Sequence, residues 1–441
     1  MSQLPATSAV ASRFDERALA DLPEVAGFTG GVRLHALRSF DALPIPPQET
    51  EEWRYTDLSG FELDFAPFTP GGGPEAMTRH GVLQAVGATG ERAALQVQRN
   101  SEVISTRAAK SLTERGVLFG DLDALGATHP DLVEPNLHAL VPVDRTKFVA
   151  LHGAFRTGGT FVYVPEGVEV ELPIQTLTYL DADGAAIFPH TLIVVEAHAS
   201  VTFIDRYVSP DLTHAFADAV TEIVVGDGAR VRYAAIQDWG RGVTHLGVQR
   251  ARVGRDAEIR TLALGFGADL ARSETETVLA EPGGFSEMLG VFFAAGDQHF
   301  DHRTEQDHAA PNCTSDLLYK GALRDHSRAV YSGWVHVRPD AQKTDAMQTS
   351  RNIVLSEHAK ADAIPNLEIE ANDVRCGHAA SVGPVDEEAI FYLESRGIPR
   401  SDAERLIVTG FFQEVLDRVT IAEVREGAEA AIAAELAGGP R

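Results

Sequence analysis

Two cysteines, Cys313 and Cys376, are all that the 441 residues contain. A disulfide scaffold needs more, so in a reducing compartment both are expected to remain free thiols. Long apolar runs are missing as well: no stretch approaches the length of a membrane-spanning helix, and the first thirty residues lack the basic start and apolar core of a secretory signal. The expectation is a soluble, cytoplasmic protein with no membrane partner. Positive charge is scarce, with 38 Lys+Arg against 64 Asp+Glu and a formal net charge of −26. So acidic a chain argues against a broad basic patch for phosphate backbones, and hence against nucleic acid as a partner. None of the five lysines stands in a Gly-x-x-x-x-Gly-Lys-Ser/Thr loop, so the chain is not expected to hydrolyse ATP by itself. Gly265-Phe266-Gly267 lacks the third glycine of a dinucleotide fingerprint, and neither Gly-x-Ser-x-Gly nor His-Glu-x-x-His occurs.

What is present divides the chain into three parts: a mixed helical region over 1–145, a β-rich core over 146–385 and a helical region over 386–441. In the first, Phe14 to Leu22 carries charges suited to an exposed helix, Leu118 to Leu125 reads as a second with Gly126 as its stop, and Gly71-Gly72-Gly73-Pro74 breaks the chain. From Lys147 the sequence turns to short runs of Val, Ile, Phe and Thr, such as Thr160 to Val164, Thr191 to Val195, Val220 to Val225 and Glu258 to Leu264. Within them a unit recurs: Glu166-Gly167-Val168-Glu169-Val170, Ala197-His198-Ala199-Ser200-Val201, Asp227-Gly228-Ala229-Arg230-Val231 and Arg255-Asp256-Ala257-Glu258-Ile259. Asp325-His326 and Glu357-His358 continue it less regularly. A period of roughly thirty residues marks a solenoid, in which each coil buries its inward face only by stacking on its neighbours. The fold expected is therefore mainly β, a β-helix, with a β-sandwich or cupin-like barrel as the competing architecture. After Pro384, Asp386-Glu387-Glu388 caps a helix that Gly397 and Pro399 stop, Ser401-Asp402-Ala403-Glu404 reads as a capping box for a second, and the Ala- and Glu-rich end reads as a third. Such helices are expected to cap the solenoid.

Three places carry candidate chemistry. In Asn372-Asp373-Val374-Arg375-Cys376-Gly377-His378, strand alternation puts Val374, Cys376, His378, Ala380 and Val382 on one face, so a thiol and an imidazole share a surface. Two ligands fall short of the four a zinc site or an iron–sulfur cluster requires, and the bland reading is a core strand. Asp297 to His308 packs His299, His302 and His308 with four carboxylates into twelve residues, a density that suits a divalent metal but also an ordinary outer strand face. Glu368 and Glu370 lie two apart on one strand face and could flank a glycosidic bond.

The series Gln298-His299-Phe300-Asp301-His302-Arg303-Thr304, Tyr319-Lys320-Gly321, Gln348, Arg351-Asn352, Pro365-Asn366-Leu367-Glu368-Ile369, Asp373-Val374, Cys376, His378 and Ser395-Arg396-Gly397-Ile398 resembles the SufB/SufD scaffold proteins of iron–sulfur cluster assembly. Glu51-Glu52-Trp53-Arg54-Tyr55-Thr56 is similar to that family's N-terminal signature. The Cys-Gly-His form at Cys376 to His378 looks like the SufD branch. The resemblance implies a right-handed parallel β-helix between helical terminal regions, a non-enzymatic scaffold, a SufB-like partner and an ABC-type ATPase, SufC. It further implies a role in nascent cluster assembly for His378 with Cys376 beside it, and a subunit contact at Asp373, Val374 and Ala380. The ATPase would dock on Phe391, Arg396, Leu406, Phe411 and Phe412. It implies no cofactor stably held by this chain alone, only iron or a transient cluster shared with the partner. A homodimer in the partner's absence is compatible with an exposed strand edge. Two other classes compete: a β-helix enzyme acting on carbohydrate through paired carboxylates, and a cupin-like metal oxidoreductase using His299, His302 and His308.

Overall fold

The computed structural model describes residues 13–72 and 91–438; Gly73 and Pro74 of the predicted chain break lie outside them. Two ten-stranded sheets make up most of the molecule. From Ser200–Val208 onward successive strands alternate between the sheets, and from Ala215–Val225 to Asp345–Val354 each pairs in parallel with the strand two places before and two places after it. That is a parallel β-helix, as the thirty-residue repeat predicts. Among the described residues antiparallel pairing occurs only at its start, where Ala94–Arg99 meets Glu102–Ala108 and Leu118–Asp121 meets Thr160–Val164.

The repeat proves to be the corner of each coil. Gly167, His198, Gly228 and Asp256 all have positive φ, and the series continues through Gly283, Asn312 and Lys343. Each donates its backbone N–H to the carbonyl before the same corner of the next coil, as Gly167 does to Ala197 and His198 to Asp227. Glycine, aspartate and asparagine tolerate the left-handed conformation best, which explains why a turn residue beside a small one recurs there. Asp325 breaks the spacing because it belongs to the opposite corner: its carboxylate accepts the Gly296 N–H at 2.9 Å.

Register between coils is unbroken, so inward side chains form columns along the axis. One runs Val231, Ile259, Ser286, Ser315, Ala346, Cys376; its neighbour runs Tyr233, Thr261, Met288, Leu317, Gln348, His378. The interior begins as a stack of Val, Ile, Ala and Phe, including Val162, Ile193, Ile223 and Ile259, and becomes polar toward the last coils.

Several local expectations change. Leu118–Asp121 is a strand, and the helix that follows, Leu122–Thr128, runs through Gly126. Lys147–Phe155 is a helix whose residues from Phe148 to Phe155 are all buried, and it packs against Gly27–Ala42, which the sequence pattern does not reveal. Asp386 caps Glu387–Ser395 as expected, accepting the N–H groups of Glu388 and Ala389. The next helix, Arg400–Leu416, begins after Pro399 without a side-chain cap, so Ser401 sits inside its first turn and no capping box forms.

The terminal helices do not cap the solenoid. Val408, Phe412, Val415 and Leu416, with Val424, Ala428 and Ile432 from Ala422–Ala437, pack on Ala234, Leu262, Leu289, Val291 and Leu318, the outward residues of one sheet. Lys320 reinforces this seam, donating to the Phe411 carbonyl at 2.7 Å and lying 2.5 Å from Glu414. The helices thus lie along the side of the β-helix, and its last coil stays open.

Two predictions follow from this packing. Phe412 is fully buried, so Phe412→Ala should cost about 3–5 kcal/mol in denaturant unfolding, whereas Phe391→Ala, on a side chain 72% exposed, should change little. Burial holds His245, His302 and His308 neutral, each lowered to about 4. Between the ordinary imidazole value of about 6.5 and that range the unfolded chain binds more protons than the folded one, so stability must fall as pH falls through this window. An unfolding midpoint independent of pH from 6.5 to 4 would contradict these assignments.

Candidate functional site

The final strands of the two sheets are Lys360–Ile369 and Arg375–Pro384. Among the described residues each pairs on one edge only, with Arg328–Val337 and Asp345–Val354 respectively. Two unpaired edges of ten residues thus lie side by side at one end of the molecule. The inward positions that other coils bury are uncovered here: Val382 is 44% and Ile369 41% exposed.

Cys376 and His378 stand on this end. Their registry partners Ala346 and Gln348 are buried inward residues, so both side chains face the interior of the solenoid at its uncovered end, and Gly377 between them faces outward beside Met347. His378 is exposed, and Cys376 is half-buried against Val335, Val337, Ala341 and Ala346, with Val374 in the same cluster. The two readings of the sequence are therefore both correct: the face is a core face, and the core there is open. Burial, then the Asp345 carboxylate, raises the Cys376 thiol above its usual range, so it is held protonated in the isolated chain.

Beneath the terminal strand lie polar groups with no partner. Both amide atoms of Gln348, the Ser350 hydroxyl and the Asn352 amide oxygen are buried and make no hydrogen bond among the described residues. In register they sit under His378, Ala380 and Val382. Gly333 makes room for this layer: a Cβ there would fall 2.2 Å from the Gln348 amide nitrogen and 2.3 Å from the Tyr331 hydroxyl. Buried polar groups normally find partners, and four such atoms without one lie in the coil below the open end. Gln348 and Asn352 belong to the motif series read from sequence, but only the register reveals that they underlie His378. Asp373 and Ala380 are exposed at the same end, Asp373 at a corner where its N–H donates to the Gln342 side chain at 2.9 Å.

The other candidate chemistries separate. His302 and His308 point inward six residues apart, roughly 20 Å along the strand, and His299 points to the outer face. The three do not converge, which removes the cupin-like site. His299 and Asp301 instead receive the N-terminal signature: the Thr56 hydroxyl lies 3.2 Å from His299 and donates to Asp301 at 2.7 Å. Trp53 lies under the Arg272 guanidinium at 4.0 Å, and Arg272 in turn pairs with Asp301. Glu368 lies on the outer strand face and Glu370 just beyond the strand end, 3.4 Å from His336.

Among the residues expected to meet an ATPase, Phe391, Arg396 and Leu406 are exposed. Phe411 is half-buried under Lys320, and Phe412 is core. Phe412 is thus withdrawn from the docking set because its ring is spent on the helix–sheet seam.

The architecture is thus a parallel β-helix with a thiol and an imidazole on its last coil. Residues 178–411 match the model of the SUF system FeS cluster assembly SufBD core domain, and residues 24–176 match the SufBD protein N-terminal region. The iron–sulfur cluster assembly protein SufD of Bacillus subtilis is 35% identical over 402 residues, covering 90% of this chain and 91% of that protein. A SufBD family protein of Mycobacterium tuberculosis is 38% identical over 305 residues, 67% of this chain and 75% of its own. One from Staphylococcus saprophyticus is 29% identical over 412 residues, 90% and 87% of the two chains. The chain belongs to the SufBD family of iron–sulfur cluster assembly proteins. Among the described residues no helix is long and apolar enough to cross a membrane.

The two thiols should differ in a way that alkylation reads directly. Cys313 is fully buried and Cys376 is not. Native protein should therefore lose one thiol to maleimide, slowly near neutral pH and faster as pH rises, and Cys376→Ser should leave none reactive until the chain is unfolded. Rapid modification of Cys376 at neutral pH would contradict its raised pKa.

Proposed function

We propose that this chain is a SufD-like scaffold subunit whose open β-helix end docks on the corresponding end of a SufB-like partner, enclosing a shared site for the nascent iron–sulfur cluster. The observation that carries the reading is the coincidence of both unpaired sheet edges with Cys376, His378 and the orphaned polar layer beneath them. Backbone N–H and C=O groups along two edges are a ready template for strand pairing, and a partner of the same architecture could extend both sheets. Closure would desolvate His378 and Cys376 together.

The ligand count favours a shared site. One imidazole and one protonated thiol cannot hold a cluster, and the partner would supply the remaining ligands, including a thiolate. Iron and the cluster are cargo here, acquired in the assembled complex. The chain acts without catalysing a reaction of its own, and its role in iron acquisition would rest on His378. Asp373, Val374 and Ala380 would line the subunit contact. The absent P-loop fits a division of labour in which a SufC-type ATPase docks on the exposed surface of the terminal helices, at Phe391, Arg396 and Leu406 with the edge of Phe411. Those helices run along the sheet that ends in Arg375–Pro384, so a pull on them would reach the site through that sheet. Without a partner, two copies could join by the same edges into a homodimer.

The test is co-purification with SufB-like and SufC-like partners, reading iron and acid-labile sulfide. His378→Ala should leave the complex assembled and reduce its cluster content at least tenfold; an assembled complex with its cluster intact would remove the ligand role. Phe391→Glu with Leu406→Glu should abolish ATPase binding and leave the thermal midpoint within a few degrees of the parent, whereas retained binding would place the ATPase elsewhere.

A further inference from the structure

Three buried histidines meet far from the open end, where the N-terminal region lies on the outer face of the solenoid. His138 comes from the segment before the helix Lys147–Phe155, His152 from that helix, and His190 from the strand His190–Val195. They are 9%, 0% and 1% exposed, and one ring nitrogen of each lies within 4.8 Å of the others'. In sequence they are separated by gaps that fit no ligand motif, so nothing in the linear pattern brings them together.

The hydrogen bonds fix how each ring is protonated. The His152 Nδ1 lies 2.9 Å from the Asp218 carbonyl and the His138 Nδ1 3.1 Å from the Val141 carbonyl. A carbonyl only accepts, so both Nδ1 atoms carry the proton, and a second proton on a ring this deeply buried would be a charge out of reach of water. Both Nε2 atoms therefore present lone pairs. That of His138 is buried and has no partner. That of His152 lies 3.0 Å from the His190 Nδ1, which must donate to it. This leaves the His190 Nε2 as a lone pair 3.2 Å from Glu222 Oε2, an acceptor facing an acceptor unless a proton sits between them. Glu222 itself is anchored by the N–H groups of Leu140 and Val141 on one oxygen and of His138 on the other, at 2.7 to 3.0 Å.

We infer that His138, His152 and His190 form a binding site for one divalent transition-metal ion of the zinc class, held by His138 Nε2, His152 Nε2 and His190 Nδ1 with Glu222 as its outer carboxylate. A metal at the centre resolves every mismatch at once. The orphaned His138 lone pair gains a partner, and His190 moves its proton to Nε2, where it donates to Glu222. The result is the carboxylate–histidine–metal relay that orients such ligands, while the Asp218 and Val141 carbonyls do the same for the other two rings. Ligand nitrogens in a tetrahedral zinc site stand about 3.3 Å apart, from bonds of about 2.0 Å, so His152 Nε2 and His190 Nδ1, 3.0 Å apart, would open slightly and the remaining pairs, within 4.8 Å, would close on the ion. An all-imidazole set suits zinc, copper, iron or nickel and not calcium or magnesium. Arg156, the nearby cation, is itself matched by Asp123 at 2.7 Å. Bound there, the ion would staple the N-terminal region to the β-helix. It also changes the sequence-based expectation that the isolated chain carries no metal of its own.

The experiment titrates cobalt(II) into the chelator-treated full-length chain and follows its visible absorption, with zinc added to displace it. Wild type should take up one equivalent with the intense bands of tetrahedral coordination and gain thermal stability on adding zinc. His138→Asn retains a residue suited to the left-handed backbone at φ 57 and should weaken binding at least tenfold. Glu222→Gln should weaken it about 10–100-fold, and His378→Ala should leave it unchanged. Folded wild type that binds no stoichiometric cobalt or zinc overturns the site, whatever the variants do. So does a folded His138→Asn chain with the wild-type spectrum and affinity, while loss in His378→Ala alone would move the metal to the open end.

Discussion

Every coil of this protein satisfies its backbone by hydrogen-bonding to the coil on either side, and that lateral ladder is the constraint on which the rest depends. It fixes register without a break from Val231 to Cys376 and from Tyr233 to His378, so that what is inward in one coil is inward in the next. The ladder also cannot end cheaply. At the start the antiparallel strands close it, and along one flank the terminal helices cover a sheet face. At the far end Lys360–Ile369 and Arg375–Pro384 are left with free edges. An unmet backbone is a liability unless another chain is meant to meet it.

The same geometry explains why a half-core face can also be a functional one. Cys376 and His378 occupy positions that any earlier coil would fill with buried side chains, and they are reactive candidates only because no further coil covers them. The orphaned amides and hydroxyls of Gln348, Ser350 and Asn352 extend the polar character one layer inward. The buried histidine cluster is the converse case: its groups are enclosed on every side, and its mismatched lone pairs point to an ion and not to a macromolecule.

Much of the fold was legible because its repeat is enforced by backbone conformation. Gly167, His198, Gly228 and Asp256 fall where positive φ is needed, and the sequence unit was found at those residues. Lys343 meets the same need with a residue type that gives no signal. Gly27–Ala42 was invisible because three glycines and a threonine dilute its helical pattern, its stability coming from packing against Lys147–Phe155. That partner helix was read as the onset of β structure because a fully buried helix and a buried strand are both continuous apolar runs. At the site, alternation put Cys376 and His378 on one face correctly but could not say that the coil was the last. Nor could it distinguish Phe411 from Phe412, where one residue of helical rotation separates a half-exposed ring from a core one.

The most direct test of the account is amide hydrogen exchange on the two terminal strands, compared between the isolated chain at monomeric dilution and its complex with a SufB-like partner. The free-edge amides of Lys360–Ile369 and Arg375–Pro384, those pointing away from the preceding coil, should exchange quickly alone and become strongly protected in the complex, while the outer faces of the sheets change little. Protection confined to those outer faces, with both edges still exchanging freely, would show that the partner binds elsewhere and that the open end is not the site.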